Sequence, residues 1–234
     1  MSIYFLVCIA GMIATIPFHF LSLEHVKLQE KYGRERGIRI GETIGMAQGW
    51  LFYIFWMGVW LSPQPRFTLP GPNLSVTIPI INFTIPILHV AVSIPFVASG
   101  AWLGIKGVQA VTLKVAERHR TERIVTDGVY SIVRHPQYLG GLLSHIGISI
   151  LLSAWYSILS TPLIIAIIYL YSWKEEKELI REFGEEYEEY RRKVPMFIPR
   201  PGRKPGRVEG GRQGSLGEEE KRIKQEAKAL GSSR

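Results

Sequence analysis

Long stretches without charged side chains constrain the fold of this 234-residue chain more than any other feature. Asp, Glu, Lys and Arg are all absent from residues 2–23, 43–65, 67–105 and 136–173. A transmembrane helix needs about 20 consecutive, mostly apolar residues, so each of the first three stretches is long enough to cross a bilayer. The fourth is long enough for two short crossings joined by a tight turn. The pattern therefore predicts an all-α, polytopic membrane protein and excludes a soluble domain.

The distribution of basic residues predicts the topology. We place about five transmembrane helices at residues 2–22, 44–61, 76–105, 138–154 and 156–173. The four connections and the C-terminal segment then hold 5, 1, 6, 0 and 16 Lys and Arg residues, in chain order. Because cytosolic loops are enriched in Lys and Arg, this alternation places the N-terminus outside and the C-terminus in the cytosol.

Three regions are expected along the chain. Residues 1–110 form the first three transmembrane helices, and residues 111–200 form a region with a helical hairpin and a C-terminal helix. Residues 201–234 are rich in Gly, Lys, Arg and Glu and poor in large apolar side chains. Such a composition predicts a disordered basic tail, with a possible short helix at residues 218–230.

The third apolar stretch contains residues that are unusual inside a membrane helix. Its prolines are Pro79, Pro86 and Pro95. Asn82 and His89 are seven residues apart and would lie on nearly the same helical face. Prolines at membrane depth are tolerated where neighbouring groups satisfy the freed carbonyls. Kinks that widen an opening between helices and simple packing irregularities both remain open.

Small residues in the fourth apolar stretch predict a close helix–helix contact. Gly140, Ser144 and Gly147 fall on one helical stripe. Stripes of small residues let two membrane helices approach closely.

A polar hook, RHPQYLG, lies at the start of the fourth stretch. Pro136 disfavours helix at His135 and can itself be the first helical residue. Arg134 and His135 would then precede a helix N-terminus, where backbone N–H groups and the helix dipole attract an anion. Tyr138 lies in the first turn. Interfacial anchoring by Arg and Tyr is the alternative function of this segment.

A charged, tyrosine-rich segment follows the last apolar stretch. Between residues 174 and 194 its apolar side chains recur at helical spacing and predict one apolar face: Leu179, Phe183, Tyr187, Tyr190 and Val194. An amphipathic helix lying on the bilayer surface is one interpretation. The polar face is as acidic as it is basic, and Glu175 and Glu176 stand at the bilayer edge, so we expect a helix that folds back over a pocket.

Together the two segments resemble the membrane methyltransferase superfamily that includes isoprenylcysteine carboxyl methyltransferase and phospholipid N-methyltransferases. The matching residues read IVTDGVYSIVRHPQYLG and EEKELIREFGEEYEEYRRKVPMFIP, within residues 124–199. The resemblance implies a cytosolic pocket for S-adenosylmethionine and a hydrophobic or lipid-like methyl acceptor that arrives from the membrane.

The resemblance also implies cofactor-binding roles for named residues. Arg134, His135 and Tyr138 would meet the methionine end of the cofactor. Glu175 or Glu176 would meet the ribose hydroxyls or the amino group. The adenine would be enclosed by apolar and aromatic side chains, with Arg191 as a further polar contact: Tyr130, Leu139, Phe183, Tyr187 and Tyr190.

The methyl acceptor is left open among a prenylcysteine-type carboxylate, a lipid and a thiol. Eukaryotic isoprenylcysteine enzymes carry an arginine about one turn before the paired glutamates. Here that region reads LYSW, with Tyr171 and Ser172 and no arginine. An amine or hydroxyl acceptor would need a base, for which the two glutamates or His135 could serve. We assign no catalytic nucleophile, no metal and no nucleic-acid partner.

Two other functions remain as alternatives. An NADPH-dependent membrane reductase of the sterol type shares a related hook, but we expect basic residues for the 2′-phosphate where this chain has adjacent glutamates. A non-enzymatic, lipid-binding membrane protein is the second alternative. The intact hook and glutamate pair favour the methyltransferase over both.

Overall fold

The structure is a computed structural model that describes residues 1–72, 74–111, 124–202 and 206–207. This part of the chain is mostly helical. Its α-helices are α1 (Ile3–Ala14), α2 (Ile16–Leu23), α3 (His25–Tyr32), α4 (Arg34–Leu61), α5 (Ile87–Val111), α6 (Pro136–Leu151), α7 (Trp155–Leu159), α8 (Thr161–Phe183) and α9 (Glu185–Lys193). Short 3-10 helices span Pro79–Ile81 and Val129–Ser131. Almost all of the predicted tail, including the possible helix at 218–230, lies outside the described residues.

Strand is a minor component of the described chain. Strand β1 (Ser75–Ile78) pairs antiparallel with β2 (Phe83–Pro86), and β3 (Asp127–Gly128) pairs antiparallel with β4 (Gly206–Arg207).

Three helical segments of the described chain are long and apolar enough to cross a membrane: Ile3–Leu23, Arg34–Leu61 and Ile87–Val111. The first combines α1 and α2, which are separated by a single residue, Thr15. The second begins at Arg34, ten residues before the predicted start, so it carries three of the five basic residues of the first connection inside the helix. These apolar helices support a membrane protein. The number of crossings made by α6 to α8 stays a prediction.

The predicted start of the third span at residue 76 is wrong. Residues 75–86 form a hairpin, and the helix begins at Ile87. Pro79 opens a 3-10 turn, and Asn82 closes it with a positive φ of 45°, a left-handed conformation that Asn adopts more readily than most residues. The hydroxyl oxygens of Thr77 and Thr84 lie 2.9 Å apart across the two strands. Asn82 and His89 therefore do not share a helical face.

Helices α5 and α6 pack closely, as the stripe of small residues predicts. A Cβ atom added at Gly140 would lie 2.6 Å from the Gly100 carbonyl oxygen and 2.8 Å from the Gly104 amide nitrogen. Both distances are far shorter than normal van der Waals contact, so only glycine allows this approach. The close contact fixes the start of α6, and with it the hook, against the end of α5.

The apolar spacing predicts one continuous helix in the charged segment after residue 173, but the structure divides this segment between two helices. Helix α8 runs through the apolar residues and the glutamate pair to Phe183 without a break. Gly184 then adopts a positive φ of 57°, and α9 begins at Glu185. The predicted apolar face survives this break, because Tyr187, Tyr190 and Val194 form one buried cluster against Leu179 and Phe183.

The two motif segments lie at one end of the helical bundle. At the other end, the Phe67 N–H donates to the Ser153 carbonyl at 3.1 Å, and the Trp155 N–H donates to the Pro65 carbonyl at 3.1 Å. At the motif end, the ammonium nitrogen of Lys174 lies 3.0 Å from a Glu24 carboxylate oxygen. The loop after α4 and the α6–α7 turn therefore share the end opposite the motifs.

Candidate functional site

The hook has the backbone geometry that its sequence predicts. His135 has φ −122° and ψ 63°, outside the helical region, and Pro136 is the first residue of α6. The backbone N–H of Arg134 donates to the Pro195 carbonyl at 2.9 Å, and that of His135 donates to the Met196 carbonyl at 3.3 Å. The hook is thus tied directly to the C-terminal VPM sequence, which comes sixty residues later.

The Arg134 side chain binds a carboxylate of the protein itself, that of Glu176. Its Nε lies 2.7 Å from Oε1 of Glu176, and both side chains are over nine-tenths buried. Its Nη1 donates to the carbonyl oxygens of Arg191, at 3.0 Å, and of Val194. Arg134 therefore fastens the hook to α8 and to the end of α9, a role that the sequence did not predict.

His135 lies between the two adjacent glutamates. Its Nε2 is 3.1 Å from Oε1 of Glu176, and its Nδ1 is 3.5 Å from Oε2 of Glu175. Burial by itself would lower the pKa of His135, but the two carboxylates outweigh burial and raise that pKa above its ordinary value. Burial likewise opposes ionisation of Glu176, but His135 and Arg134 lower the pKa of this carboxyl. Arg134, His135, Glu175 and Glu176 form a charge-balanced cluster.

Two tyrosines of the hook region extend this polar network. Tyr138 donates its hydroxyl to Oε1 of Glu175. The Tyr130 hydroxyl accepts a hydrogen bond from the side-chain amide of Gln137 at 3.0 Å. Burial raises the pKa of Tyr130 to about 12, so its phenol stays protonated at physiological pH.

The buried tyrosines of α9 close over the same region. Tyr190 donates its hydroxyl to the Tyr130 carbonyl at 2.7 Å. The Tyr187 and Tyr190 rings pack edge to face, with centroids 5.8 Å apart. Aromatic side chains from two distant segments therefore meet beside the charged cluster.

A cavity of about 450 Å³ lies next to this cluster. Its volume falls in the usual range of small-molecule sites, about 300–1,000 Å³. Of the eleven predicted binding residues, seven line it: Tyr130, Arg134, His135, Tyr138, Glu175, Tyr187 and Tyr190. The other four are not among the described lining residues: Leu139, Glu176, Phe183 and Arg191. Glu176 binds two of the lining residues, Arg134 and His135, without lining the cavity itself. Arg191 contributes its carbonyl oxygen, which accepts a hydrogen bond from Arg134.

The N-terminal helices contribute cavity residues that the motifs could not indicate. His19 of α2 and Gln48 of α4 are buried and line the cavity, as does Tyr171 of α8. The available signal was the presence of polar side chains inside uncharged stretches, which marks functional positions in membrane proteins. On the side of α4, the exposed residues Trp50 and Tyr53 also line the cavity.

Carboxylates dominate the charged lining. Glu175, Glu178 and Glu182 line the cavity, and Arg134 is the one Lys or Arg among the described lining residues. Glu178 is 2.8 Å from Lys174, and Arg134 is already held by Glu176. Among the described lining residues, carboxylates therefore outnumber Lys and Arg.

Residues 88–186 match the model of a family described as phospholipid methyltransferase. The superfamily resemblance is confirmed. The matched segment, called the methyltransferase-like region below, contains the hook, α6 to α8 and the glutamate pair.

Curated relatives agree with this family match. The chain is 37% identical over 92 residues to a protein-S-isoprenylcysteine O-methyltransferase of Schizosaccharomyces pombe, covering 36% of each chain. It is 38% identical over 91 residues to the Xenopus laevis enzyme of the same name, covering 36% of this chain and 29% of the relative. It is also 38% identical over 101 residues to a methanethiol S-methyltransferase of Crocosphaera subtropica, covering 42% of this chain and 38% of the relative.

These alignments cover between 29% and 42% of either protein, so the chain spans well under two thirds of the length of these relatives. The family match begins at residue 88 and so does not include the N-terminal helices that supply His19 and Gln48.

Proposed function

We propose that this protein is an integral membrane methyltransferase that uses S-adenosylmethionine and acts on a hydrophobic acceptor. The observation that carries the proposal is the meeting of two distant motif segments around one cavity. Arg134 and Glu176 join those segments, and seven of the predicted binding residues face the same space. The family match and the names of the relatives support the same class of reaction.

The chemistry of the lining fits S-adenosylmethionine. This molecule carries a sulfonium, an ammonium and one carboxylate, so its net charge suits the acidic cavity. Glu175 can accept hydrogen bonds from the ribose diol or the ammonium, as acidic residues do in other nucleotide sites. The buried rings of Tyr187 and Tyr190 offer apolar faces to a purine, and aromatic faces also attract cations. His135, whose pKa is raised by two carboxylates, can face the single carboxylate of the donor.

The protein's own residues act mainly by positioning. When bound, the cofactor supplies a methyl group on a sulfonium, which is already activated for displacement. Alignment of donor and acceptor can recover about 7–11 kcal/mol of a reaction barrier. Arg134 and Glu176 hold the hook against α8, and Tyr138 orients Glu175 from the opposite side. Leu139, Phe183 and Arg191 support the site from outside the cavity lining.

A hydrophobic acceptor can enter from the bilayer. Met46, Trp50 and Tyr53 of α4 line the cavity and are exposed on the surface of the bundle. Val108 and Val111 of α5 also line the cavity. The named acceptors of the relatives, a prenylcysteine and methanethiol, are both compatible with an apolar entrance of this kind.

The membrane arrangement is part of the proposal. Five crossings, with the N-terminus outside and the C-terminus in the cytosol, put both motif segments on the cytosolic side. The proposed regions are residues 1–110 as N-terminal membrane helices, 111–200 as the cofactor-binding region capped by α9, and 201–234 as a basic tail. A soluble donor and a membrane-borne acceptor would then meet at the inner leaflet.

The charges of the site disfavour the reductase alternative. NADPH carries a pyrophosphate and a 2′-phosphate, yet the described residues that line the cavity include three glutamates and one arginine. A non-enzymatic lipid-binding role does not account for the buried Arg134–Glu176 pair beside the cavity, because charged groups are expensive to bury.

Transfer of a labelled methyl group tests the proposal directly. Purified protein in lipid nanodiscs is incubated with S-adenosylmethionine labelled on the methyl carbon and with lipid extract, prenylcysteine analogues, thiols or amines. We expect label in at least one acceptor, and at least tenfold less in Glu175→Gln. Glu185→Gln, an exposed substitution at the start of α9, is the matched control and should behave as wild type. Absence of labelled product with every acceptor, in a protein that is folded, would count against the proposal.

A further inference from the structure

A chain of hydrogen bonds lies behind the cavity and ends at His19. The Thr15 hydroxyl donates to the Met12 carbonyl at 2.6 Å, so its oxygen is left to accept from the Tyr171 hydroxyl at 2.9 Å. The Tyr171 oxygen in turn accepts from the amide nitrogen of Gln48 at 3.2 Å. The amide oxygen of Gln48 must then face Nδ1 of His19, and that distance is 3.2 Å.

This chain fixes the tautomer of His19. An amide oxygen can only accept, so Nδ1 of His19 carries a hydrogen and donates it to Gln48. In the neutral imidazole, Nε2 is therefore the basic nitrogen. The ring stacks on Tyr171 with centroids 3.8 Å apart and planes 18° apart, so its orientation is fixed as well.

Nε2 of His19 is close to the carboxylate of Glu175. It lies 3.6 Å from Oε1 of Glu175. His19 is only 1% exposed, so bulk water contributes little at this position. A carboxylate at this distance attracts a proton on the nitrogen, whereas burial opposes the charged form of a histidine. Both residues line the cavity that the proposed function assigns to donor and acceptor.

The same lining selects the chemistry of the acceptor. Arg134 is the one Lys or Arg among the described lining residues, and Glu176 already binds it. An acceptor that arrives as a carboxylate would meet Glu175 close to the base. An uncharged acceptor that carries its own proton suits the pair better.

A thiol is the acceptor that best matches an imidazole base. In water a thiol has a pKa of about 8.5 and an imidazole about 6.5, whereas an alkylammonium has about 10.4. The proton transfer from a thiol is therefore uphill by about two pKa units, which a neighbouring carboxylate can offset. The gap for an ammonium is about four units.

We propose that Nε2 of His19 accepts the proton of a thiol acceptor, with Glu175 stabilising the resulting imidazolium. The S–H bond breaks, the proton passes to Nε2, and the sulfur lone pair forms the new bond to the methyl carbon. The bond from that carbon to the sulfonium sulfur breaks, and its electron pair stays on the departing sulfur. The products are a methyl thioether and S-adenosylhomocysteine. This inference rests on the proposed function and adds a residue from outside the methyltransferase-like region.

A comparison of thiols that differ in acidity tests the role of His19. Alkanethiols need a base at neutral pH, whereas an acidic arylthiol is already ionised. We expect His19→Gln to lower kcat for an alkanethiol by about 100-fold or more, within the usual range for loss of a general base. The same variant should lower kcat for the arylthiol less than tenfold. A residue that only supports the fold would affect both thiols equally.

Two further variants keep the test decisive if His19→Gln folds poorly. Gln48→Leu removes the acceptor that holds the Nδ1 hydrogen of His19 and should selectively impair alkanethiols, more weakly than His19→Gln. His89→Gln is the matched control for loss of a buried histidine, because His89 binds Leu69, Ile150 and Ser153 at the far end of the bundle. It should leave the ratio of alkanethiol to arylthiol rates unchanged. Binding of S-adenosylhomocysteine by calorimetry verifies that each variant is folded.

The outcomes separate this inference from the proposed function. Equal losses for both thiols, or wild-type rates in His19→Gln, would overturn the role of His19 while methyl transfer stands. Transfer to amines or carboxylates, with none to thiols, would overturn this inference as a whole, while the proposed methyltransferase function stands. A wild-type protein that binds no S-adenosylhomocysteine would remove the proposed function itself.

Discussion

Arg134 and Glu176 are separated by 41 residues in sequence, yet their side chains form a buried ion pair with 2.7 Å between Nε and Oε1. Arg134 also binds the carbonyl oxygens of Arg191 and Val194. One guanidinium therefore joins the hook, the charged end of α8 and the end of α9. This junction therefore connects the three segments that surround the charged part of the candidate site.

Removal of Arg134 should strongly destabilise the protein. Breaking a buried ion pair by deleting one partner costs about 3–5 kcal/mol, because the remaining charge is left buried and uncompensated. We expect Arg134→Gln to lower the unfolding free energy by about 3 kcal/mol, measured by denaturation in detergent. Arg181→Gln breaks the exposed pair with Glu178 and should cost less than about 1 kcal/mol. Equal effects of the two substitutions would contradict the role of the junction.

The charged cluster should make stability depend on pH in a defined direction. Folding raises the pKa of His135 above 6.5, so its stabilising contribution is complete below that value and is lost as pH rises through the raised pKa. Folding lowers the pKa of Glu176 below 4.5, so its contribution is present above that value and is lost only as pH falls through the lowered pKa. Thermal denaturation between about pH 5 and pH 8 should show stability falling toward the alkaline side, where histidine loses its proton.

His135→Gln is the variant that isolates this effect. It should be less stable than wild type at the acidic end of the range and should lose most of the alkaline decline, because the titrating group is gone. A pH profile that parallels the wild-type profile would show that His135 does not carry the charge assigned to it.

The contact between α5 and α6 should tolerate no side chain at Gly140. A methyl group there would lie 2.6 Å from the Gly100 carbonyl oxygen. Forcing such groups apart typically costs about 1–3 kcal/mol, and we expect that loss for Gly140→Ala. Gly104→Ala is a matched control in the facing helix, because a Cβ atom at Gly104 meets nothing within 4 Å. This control should leave stability unchanged or raise it by up to about 1 kcal/mol, owing to the better helix propensity of Ala.

Cysteine labelling should separate the two ends of the bundle. In a Cys8→Ser background, Thr77→Cys in the exposed β1–β2 hairpin should react with an impermeant maleimide added to intact cells. Glu185→Cys at the start of α9 should react only after the membrane is permeabilised. Reaction of both sites from outside would refute five crossings with a cytosolic C-terminus.

The sequence predicts features of the fold well where the signal comes from single residues. Pro136 begins α6, and Gly140 lies in the close contact with α5, because proline geometry and glycine size act at single positions. Helix boundaries are predicted less well. The apolar stretch that contains Pro79 and Asn82 is predicted to be part of a transmembrane helix, but it forms a β hairpin. Hydropathy alone cannot separate these two structures. Helix α8 ends just before Gly184, although the helical spacing of apolar residues continues past this position and gives no sign of a break.

The candidate site was predictable only in part. The motifs indicate Glu175 and His135, and both line the cavity. They could not indicate that Arg134 binds Glu176, because the choice between an internal and an external anion depends on tertiary packing. His19 and Gln48 lie in helices outside the methyltransferase-like region, so only their polarity marked them.

Calorimetric titration of the purified protein in detergent, with S-adenosylhomocysteine and separately with NADPH, tests the central claim most directly. We predict saturable heat with S-adenosylhomocysteine, none with NADPH, and binding at least tenfold weaker in Glu175→Gln, which corresponds to about 1.4 kcal/mol. Saturable heat with NADPH alone, or with neither ligand, would contradict a methyl-donor site at the junction of the hook and α8.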